Sequence, residues 1–348
     1  MQGREKVQKS LFGSTPIDEI IPQDHPLRKI RALFDQAWQN LASAFDSSYG
    51  EVGNVSYPPA VLMRAHLLRA LYSIKSERAL CEQIQMNAGF RWFVGLDWDD
   101  KVFDHSTLSF NRQRLFGDGA AEAILGEIVR LAEVRKLLSN DRMVVDGSLI
   151  KAWASHKSFQ PKEGPPEDGS FKGKKRSNQT HESTTDPDAR LMRKGPGQEA
   201  MLCFLASVLV DPQTGMVRAA DVRKPCGLGG NAEVLAALAM AEEHMLQGQA
   251  LSADRGFDEQ AFVDGLREIG IKPHCRAKSK HSRLDGRTTS RESYKISMKA
   301  RHIVERVFAW IKGSGRMRQT MKRGEVCIGW EFHLYCSAFN LRRLANLA

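Results

Sequence analysis

Three acidic residues of the 348-residue chain fall where chemistry is possible: Asp146, Asp254 and Glu305. Asp146 sits at or just inside a β-branched run in RMVVDGSLI, and Asp254 follows the short apolar run ALSA in LSADRGF. The carboxyl ends of strands in α/β sheets are where sites form, and Gly256 lets the backbone bend sharply after Asp254. A strand-end aspartate serves equally well as a cap on a turn, so position alone leaves both readings open. Glu305 is more isolated, being the single acid among nine Lys and Arg between Glu292 and Glu325. At the helical angle Ile303, Val304, Val307, Phe308 and Ile311 share one face, while Arg301, Glu305 and Lys312 form a separate polar stripe. The plainer alternative is an Arg301 to Glu305 salt bridge worth a few tenths of a kcal/mol. Trp310 falls beside Ile303 on the wheel and is expected in the core rather than against a base.

Other chemistries find no support. The ten His show no HExxH pattern, and GLGG at 227–230 lacks the GK[ST] ending of a phosphate-binding loop. Cys81, Cys203, Cys226, Cys275, Cys327 and Cys336 contain no CxxC pair, which argues against a zinc ribbon or a disulfide framework and for reduced, mostly buried thiols. Charge points elsewhere. Residues 271–348 hold 18 Lys and Arg against 5 Asp and Glu, a balance of +13 within a total of +10, which leaves −3 for the rest. Such an excess suits a polyphosphate partner, because each neutralised phosphate releases counterions. Arg316, Arg318, Lys322 and Arg323 are the expected phosphate contacts.

The elements that must position these groups are legible in outline. Leu27, Ile30, Leu33, Phe34, Trp38 and Leu41 recur at helical spacing. Pro58 and Pro59 suit a second helix start, and Ser76 with Glu77 suits a third. Asp104, Ser106 and Thr107 offer caps for a helix carrying Arg112 and Arg114. Closely spaced helices of this kind fit a helix-turn-helix with residues 106–115 as the recognition helix, or, equally, a dimerisation bundle. After a helix at 120–137 the pattern changes to strands. Residues 156–199, rich in Gly, Pro, Ser and Lys, read as a long loop. MLCFLASVLVDPQTGMVRAADVRK reads as a hairpin. A helix at 231–246, the strand ALSA, the helix DEQAFVDGLREIG, the strand IKPHCRA and a last helix around Glu305 complete a mixed sheet with helices on its faces. The expected division is a helical DNA-binding or dimerisation domain at 1–138 and an α/β domain at 139–348.

Taken together, VVDGSL, ADRGFD and the spacing of Arg301, Glu305 and Lys312 resemble the DDE transposases of bacterial insertion sequences, in particular the IS-five type. The resemblance runs nearly end to end, through HPLRKIRALFD, SERALCEQIQMNAGFRWFVGLDWDD, DHSTLSFNRQRL, IKAWASHKSF, RSNQTHESTTDPDARL, DGRTT, ERVFAWIK and FNLRRLANL. It implies a ribonuclease H-like catalytic core in which Asp146, Asp254 and Glu305 bind metal. Met298 stands where the family often has Tyr, and CGLGGNAE and the hairpin differ from the usual text. Three carboxylates suit such chemistry, since two Mg²⁺ ions, or Mn²⁺ in their place, stabilise the attacking and leaving oxygens of an in-line displacement at phosphorus. The acids lie 108 and 51 residues apart, so only the tertiary fold can bring them together. Arg301 and Lys312 would relieve their mutual repulsion and contact the scissile phosphate or terminal bases.

The expected activity is cleavage of terminal inverted repeats and joining of the 3′ ends to target DNA, by a homodimer or larger assembly formed on DNA. A DNA-binding protein of the same fold without catalysis, and a related nuclease without joining activity, are the alternatives. The amino terminus lacks the apolar segment of a secretory signal, and the longest apolar run, Ala200–Val210, is too short for a membrane span. The protein is therefore expected in the bacterial cytoplasm, associated with the nucleoid and not with membrane.

Overall fold

In the computed structural model, residues 15–43, 56–117, 119–164, 176–193, 195, 197–225 and 231–347 are described, with backbone only at 113–117 and 231. The amino-terminal region holds α1 (Ile17–Ile20), α2 (Pro26–Gln39), α3 (Pro59–Leu71), α4 (Glu77–Met86), α5 (Ala88–Val94), α6 (His105–Gly117) and α7 (Ala120–Val134). Local chemistry starts these helices where expected: Ser76 Oγ accepts from the Ala79 amide at 3.1 Å, and Asp104 Oδ1 from the Ser106 amide at 2.8 Å. Asn87 plays the same part for α5, a helix not anticipated from periodicity.

The remainder contains β1 (Arg142–Lys151), β2 (Phe159–Pro161), β3 (His181–Ser183), β4 (Arg190–Met192), β5 (Met201–Val210), β6 (Val217–Arg223), α8 (Asn231–His244), β7 (Ala250–Ala253), α9 (Gln260–Glu268), β8 (Lys272–Cys275), α10 (Gly286–Thr289), α11 (Glu292–Ala300), α12 (Ile303–Lys312) and α13 (Glu325–Leu347). The main sheet runs β4-β5-β1-β7-β8, with β6 also on β5. β5 pairs antiparallel with both β1 and β6, whereas β7 runs parallel to β1 and β8 parallel to β7. The expected mixed sheet is thus present, with three meandering strands followed by two reached through helical crossovers. The expected loop at 156–199 is partly strand. β2 pairs with β3, and β4 extends the edge of β5. These pieces are three residues each, too short for alternation to register in sequence.

The hairpin turn between β5 and β6 is made by Asp211, which accepts from the Thr214 amide and hydroxyl, both at 2.7 Å. Gly215 closes it at φ +72°, and a Cβ there would also press on Ile303 at 3.2 Å, so the position requires glycine twice over.

Side chains alternate across β1. Val144 and Ile150 join a core shared with α12, α13 and the amino-terminal helices, while Met143 and Val145 face α8, α9 and α11. α13, not anticipated as an element, is the pivot of the first core. Phe332, Leu334, Tyr335, Cys336, Phe339, Leu341 and Leu344 are buried on several sides of it, as expected for a helix enclosed between layers. It packs on α2, α3 and α7 on one side and on β6 on the other. Asn340 seals the free edge of β6 by accepting from the Val217 amide at 2.8 Å and donating to its carbonyl at 2.7 Å. The helical region and the sheet thus share one apolar core. Among the described residues no helix is long and apolar enough to cross a membrane.

Two ionic junctions cross this core. Arg69 of α3 pairs with Glu331 of α13, both nearly buried. Glu77 of α4 accepts from Arg112 of α6, from Ser109 Oγ at 2.5 Å and from Lys322 Nζ at 3.3 Å. Burial alone would raise the Glu77 carboxyl, but Lys322, Ser109 and Arg112 together hold it at about 2. The described cysteines are free. Burial pushes the Cys203 and Cys275 thiols up to about 12, which leaves them unreactive; Cys226 lies outside the set whose bonding is described.

Two outcomes follow from these junctions. Asn340→Ala strips both partners from a buried amide and carbonyl of Val217, and should cost about 1–3 kcal/mol in urea unfolding; a smaller loss would show that the β6 edge is satisfied otherwise. Because the Glu77 pKa is depressed, its stabilisation is complete above the ordinary carboxylate range and lost as pH falls towards about 2. The stability gap between wild type and Glu77→Gln should narrow over that acid interval, and a gap independent of pH would contradict an ionic role.

Candidate functional site

The site is set by strand register. β1 and β7 pair in parallel with Val144 opposite Ser252. Two residues beyond this last pair come Asp146, within β1, and Asp254, just past the end of β7, so carboxylates 108 residues apart in sequence are carried along the same register. With a period of two, Asp146 shares its face with Val144 and Ile150, the face that carries the first core and α12. Gly147 points to the opposite face, where a Cβ would meet Glu233 of α8 at 3.3 Å. Asp146 is half-buried, and its Oδ1 accepts from the Gly147 amide at 2.9 Å. Asp254 is exposed and caps a single 3-10 turn by accepting from the Arg255 amide at 2.5 Å. The capping reading of Asp254 is therefore correct, and it leaves one carboxylate oxygen for other partners.

α12 crosses this face. Val304, Val307, Phe308 and Ile311 are buried beneath it, as the wheel predicts, and Trp310 packs against Tyr335 and Phe339 in the core. Glu305 is exposed in its first turn, with Oε1 3.0 Å from His302 Nδ1. The polar stripe needs correcting in one respect. Arg301 is not on α12 but closes α11, and the helix restarts at Ile303. The bend turns the nearly buried Arg301 guanidinium towards Asp254, Nη1 to Oδ1 being 3.6 Å, so Asp254 and not Glu305 is its acidic partner. At the other end of α12, Lys312 Nζ donates to the Leu149 carbonyl of β1 at 2.8 Å. Arg301 and Lys312 thus tie the two ends of the Glu305 segment to the strands that bear the two aspartates.

The three carboxylates are brought to one face but not into one cage: among the described residues no group of three His, Cys, Asp or Glu side chains converges to hold a metal ion. Their donor chemistry nonetheless fits a hard divalent cation, which takes oxygen ligands and keeps several waters of its own. Glu305, held only at the surface by His302, is the carboxylate with room to move.

The basic residues separate into two groups. Arg316, Arg318 and Arg323 lie exposed along the segment between α12 and α13. Lys322 and Arg112 are mostly buried and meet at Glu77. Arg114 lies on α6, but its side chain is outside the described residues, as is GLGG at 227–230. Sequence reasoning missed a cavity of about 500 Å³ beside Arg301, lined by Arg276, Tyr294, Met298, Lys299 and His302. Its residues come from the end of β8 and from α11, which no linear motif joins.

Residues 143–340 match the family model described as transposase DDE domain, and residues 15–114 match one described as transposase domain (DUF772). No curated protein matches. Among solved structures, the chain is similar to a piggyBac transposase synaptic complex with hairpin DNA, at 7% identity and a TM-score of 0.42, over 95% of this chain and 77% of that one. It is also similar to a Mos1 transposase paired-end complex with the left transposon end, at 13% identity and a TM-score of 0.22, over 80% of this chain and 86% of that one. The matched DDE domain covers more than half of the chain and contains all three acids, and the chain belongs to this family of metal-dependent DNA transposases, which cleave DNA and transfer its strands.

Proposed function

We propose that the chain is the transposase of an insertion sequence of the IS-five type, which cleaves the terminal inverted repeats of its element and joins the 3′ ends to target DNA using Asp146, Asp254 and Glu305. The observation that supports this most strongly is the parallel register that sets Asp146 and Asp254 level on the face crossed by α12. Two Mg²⁺ ions, or Mn²⁺ in their place, would neutralise charge on the attacking and leaving oxygens when bound. Asp146 of β1 and Asp254 at the end of β7 would supply oxygens to such ions, and Glu305 would complete the set on leaving His302. Arg301, 3.6 Å from Asp254, orients that carboxylate. Lys312 fixes the far end of α12 and, with Arg301, faces the phosphate undergoing displacement. In each step an incoming oxygen, of water or of a freed 3′ hydroxyl, bonds to phosphorus as the opposite oxygen departs with the bonding pair.

DNA binding is divided on this reading between two regions. Arg316, Arg318 and Arg323 hold backbone phosphates without regard to sequence. α6 reads the repeat through Arg114 and through Arg112, which reaches DNA only by leaving Glu77, as Lys322 does. Assembly as a dimer or larger complex on DNA would bring two ends together.

Asp146→Asn, Asp254→Asn and Glu305→Gln should each slow cleavage on the order of a hundredfold or more while leaving DNA binding intact, and chelator should abolish turnover of the wild type. Full cleavage by any one variant removes that residue from the site. Replacing Arg316, Arg318 and Arg323 with Ala should weaken binding to repeat and random DNA alike and flatten its salt dependence by roughly one slope unit per phosphate no longer neutralised. Replacing Arg112 and Arg114 should instead cost discrimination, about 1–3 kcal/mol for each base no longer read. Competition binding at two salt concentrations separates the two effects, and the reverse pattern would make the amino-terminal helices a dimerisation bundle.

A further inference from the structure

β1 does not end at the acidic site. It runs on to Lys151, where the segment after α12 is stitched to it: the Lys151 amide donates to the Arg318 carbonyl at 3.1 Å, the Thr320 amide to the Lys151 carbonyl at 3.0 Å, and Gln319 Nε2 to the Ala152 carbonyl at 3.1 Å. Exposure then alternates. Ala152 and Ala154 are buried, while Lys151, Trp153 and Lys157 face solvent. Trp153 is 48% exposed although both of its neighbours are anchored. A large ring is normally withdrawn from water, and one held out in the bend that follows β1 is a binding surface in waiting.

Its surroundings select the partner. Neither residues 147–162 nor residues 306–324 contain an Asp or Glu, and the two stretches lie side by side. Lys151 and Arg318, hydrogen-bonded backbone to backbone two residues before the ring, both carry exposed positive charge. Cations beside an outward aromatic face are the combination that binds an unpaired nucleic-acid strand, the charge tracking phosphates and the ring stacking on a base. We propose that Trp153, with Lys151 and Arg318, is a stacking platform for an unpaired base of the bound DNA. The platform lies seven residues beyond Asp146 along the chain, two past the end of β1, so it engages DNA away from the scissile phosphate. Lys312, bound to Leu149, stands between the two on β1. This role rests on the reading of the chain as a DNA-processing enzyme and adds to it a preference for locally unpaired DNA.

The test compares a fully paired duplex with the same duplex carrying a run of unpaired thymines, using the full chain. Wild type should bind the unpaired form more tightly. Trp153→Ala should lose about tenfold on that form and almost nothing on the paired one, the scale of one stacked base, and Trp153→Phe should restore most of it. Because the ring is exposed, the thermal midpoint of Trp153→Ala should match wild type. Iododeoxyuridine placed among the unpaired thymines should crosslink to Trp153. Equal loss on both DNAs, no loss on either, crosslinking elsewhere, or conversion of an oligomer to a monomer by Trp153→Ala would each overturn the platform, the last by making the ring part of an interface with a second copy of the chain. Wild type binding neither DNA would overturn the functional reading itself, whereas DNA cleavage with no preference for unpaired DNA would overturn the platform alone.

Discussion

Everything at the candidate site depends on one pairing, that of β1 with β7. Because the side-chain period of a strand is two, a slip of one residue would send Asp254 to the opposite face from Asp146. The register is held by burial on both sides. Val144 and Ile150 must enter the core beneath α12 and α13, while Met143, Val145, Leu251 and Ala253 must enter the one beneath α8 and α9. Hydrophobic burial that serves stability therefore also sets the two carboxylates level. The segment bearing Glu305 is then held by polar contacts on either side, Arg301 at the end of α11 to Asp254 and Lys312 of α12 to Leu149. Of the three acids, Glu305 is the one bound to neither strand.

The same economy joins the helical region to the sheet. α13 fills the space between them and satisfies the β6 edge through Asn340 and through His333, whose Nε2 lies 2.9 Å from the Ala220 carbonyl. Glu77 gathers a cation from α6 and another from the segment before α13, which links the element proposed to read sequence to the element proposed to hold phosphates. A buried carboxylate with two cationic partners is strongly destabilised if either is withdrawn. Movement of Arg112 or Lys322 towards DNA must therefore be compensated by the phosphates they meet.

Much of this was legible in the sequence because it is local. The caps at Ser76 and Asp104, the β-branched run of β1, the hairpin turn at Asp211 and the buried face of α12 all follow from residues within a few positions of each other. The family resemblance supplied the proposed triad. What could not be read is what depends on distant partners. Glu77 meets residues 35 and 245 positions away, and no pattern announces this. The break between α11 and α12 was missed because Arg301 keeps helical dihedrals while serving as a cap, so the wheel runs through it undisturbed. α13 escaped because its apolar residues surround the helix and give little periodicity. The short strands inside residues 156–199 exist only because β5 and β2 offer edges to pair with.

The central claim is that Asp146 and Asp254, level across β1 and β7, act on one metal site. A double-mutant cycle on Mn²⁺ affinity, measured by calorimetry on the DNA-bound protein, addresses it directly. Asp146→Asn and Asp254→Asn should each weaken Mn²⁺ binding, and the double variant should fall well short of the sum, by about 0.5–3 kcal/mol, as groups sharing a ligand do. Strictly additive losses, or Mn²⁺ affinity unchanged by either substitution, would contradict a shared site.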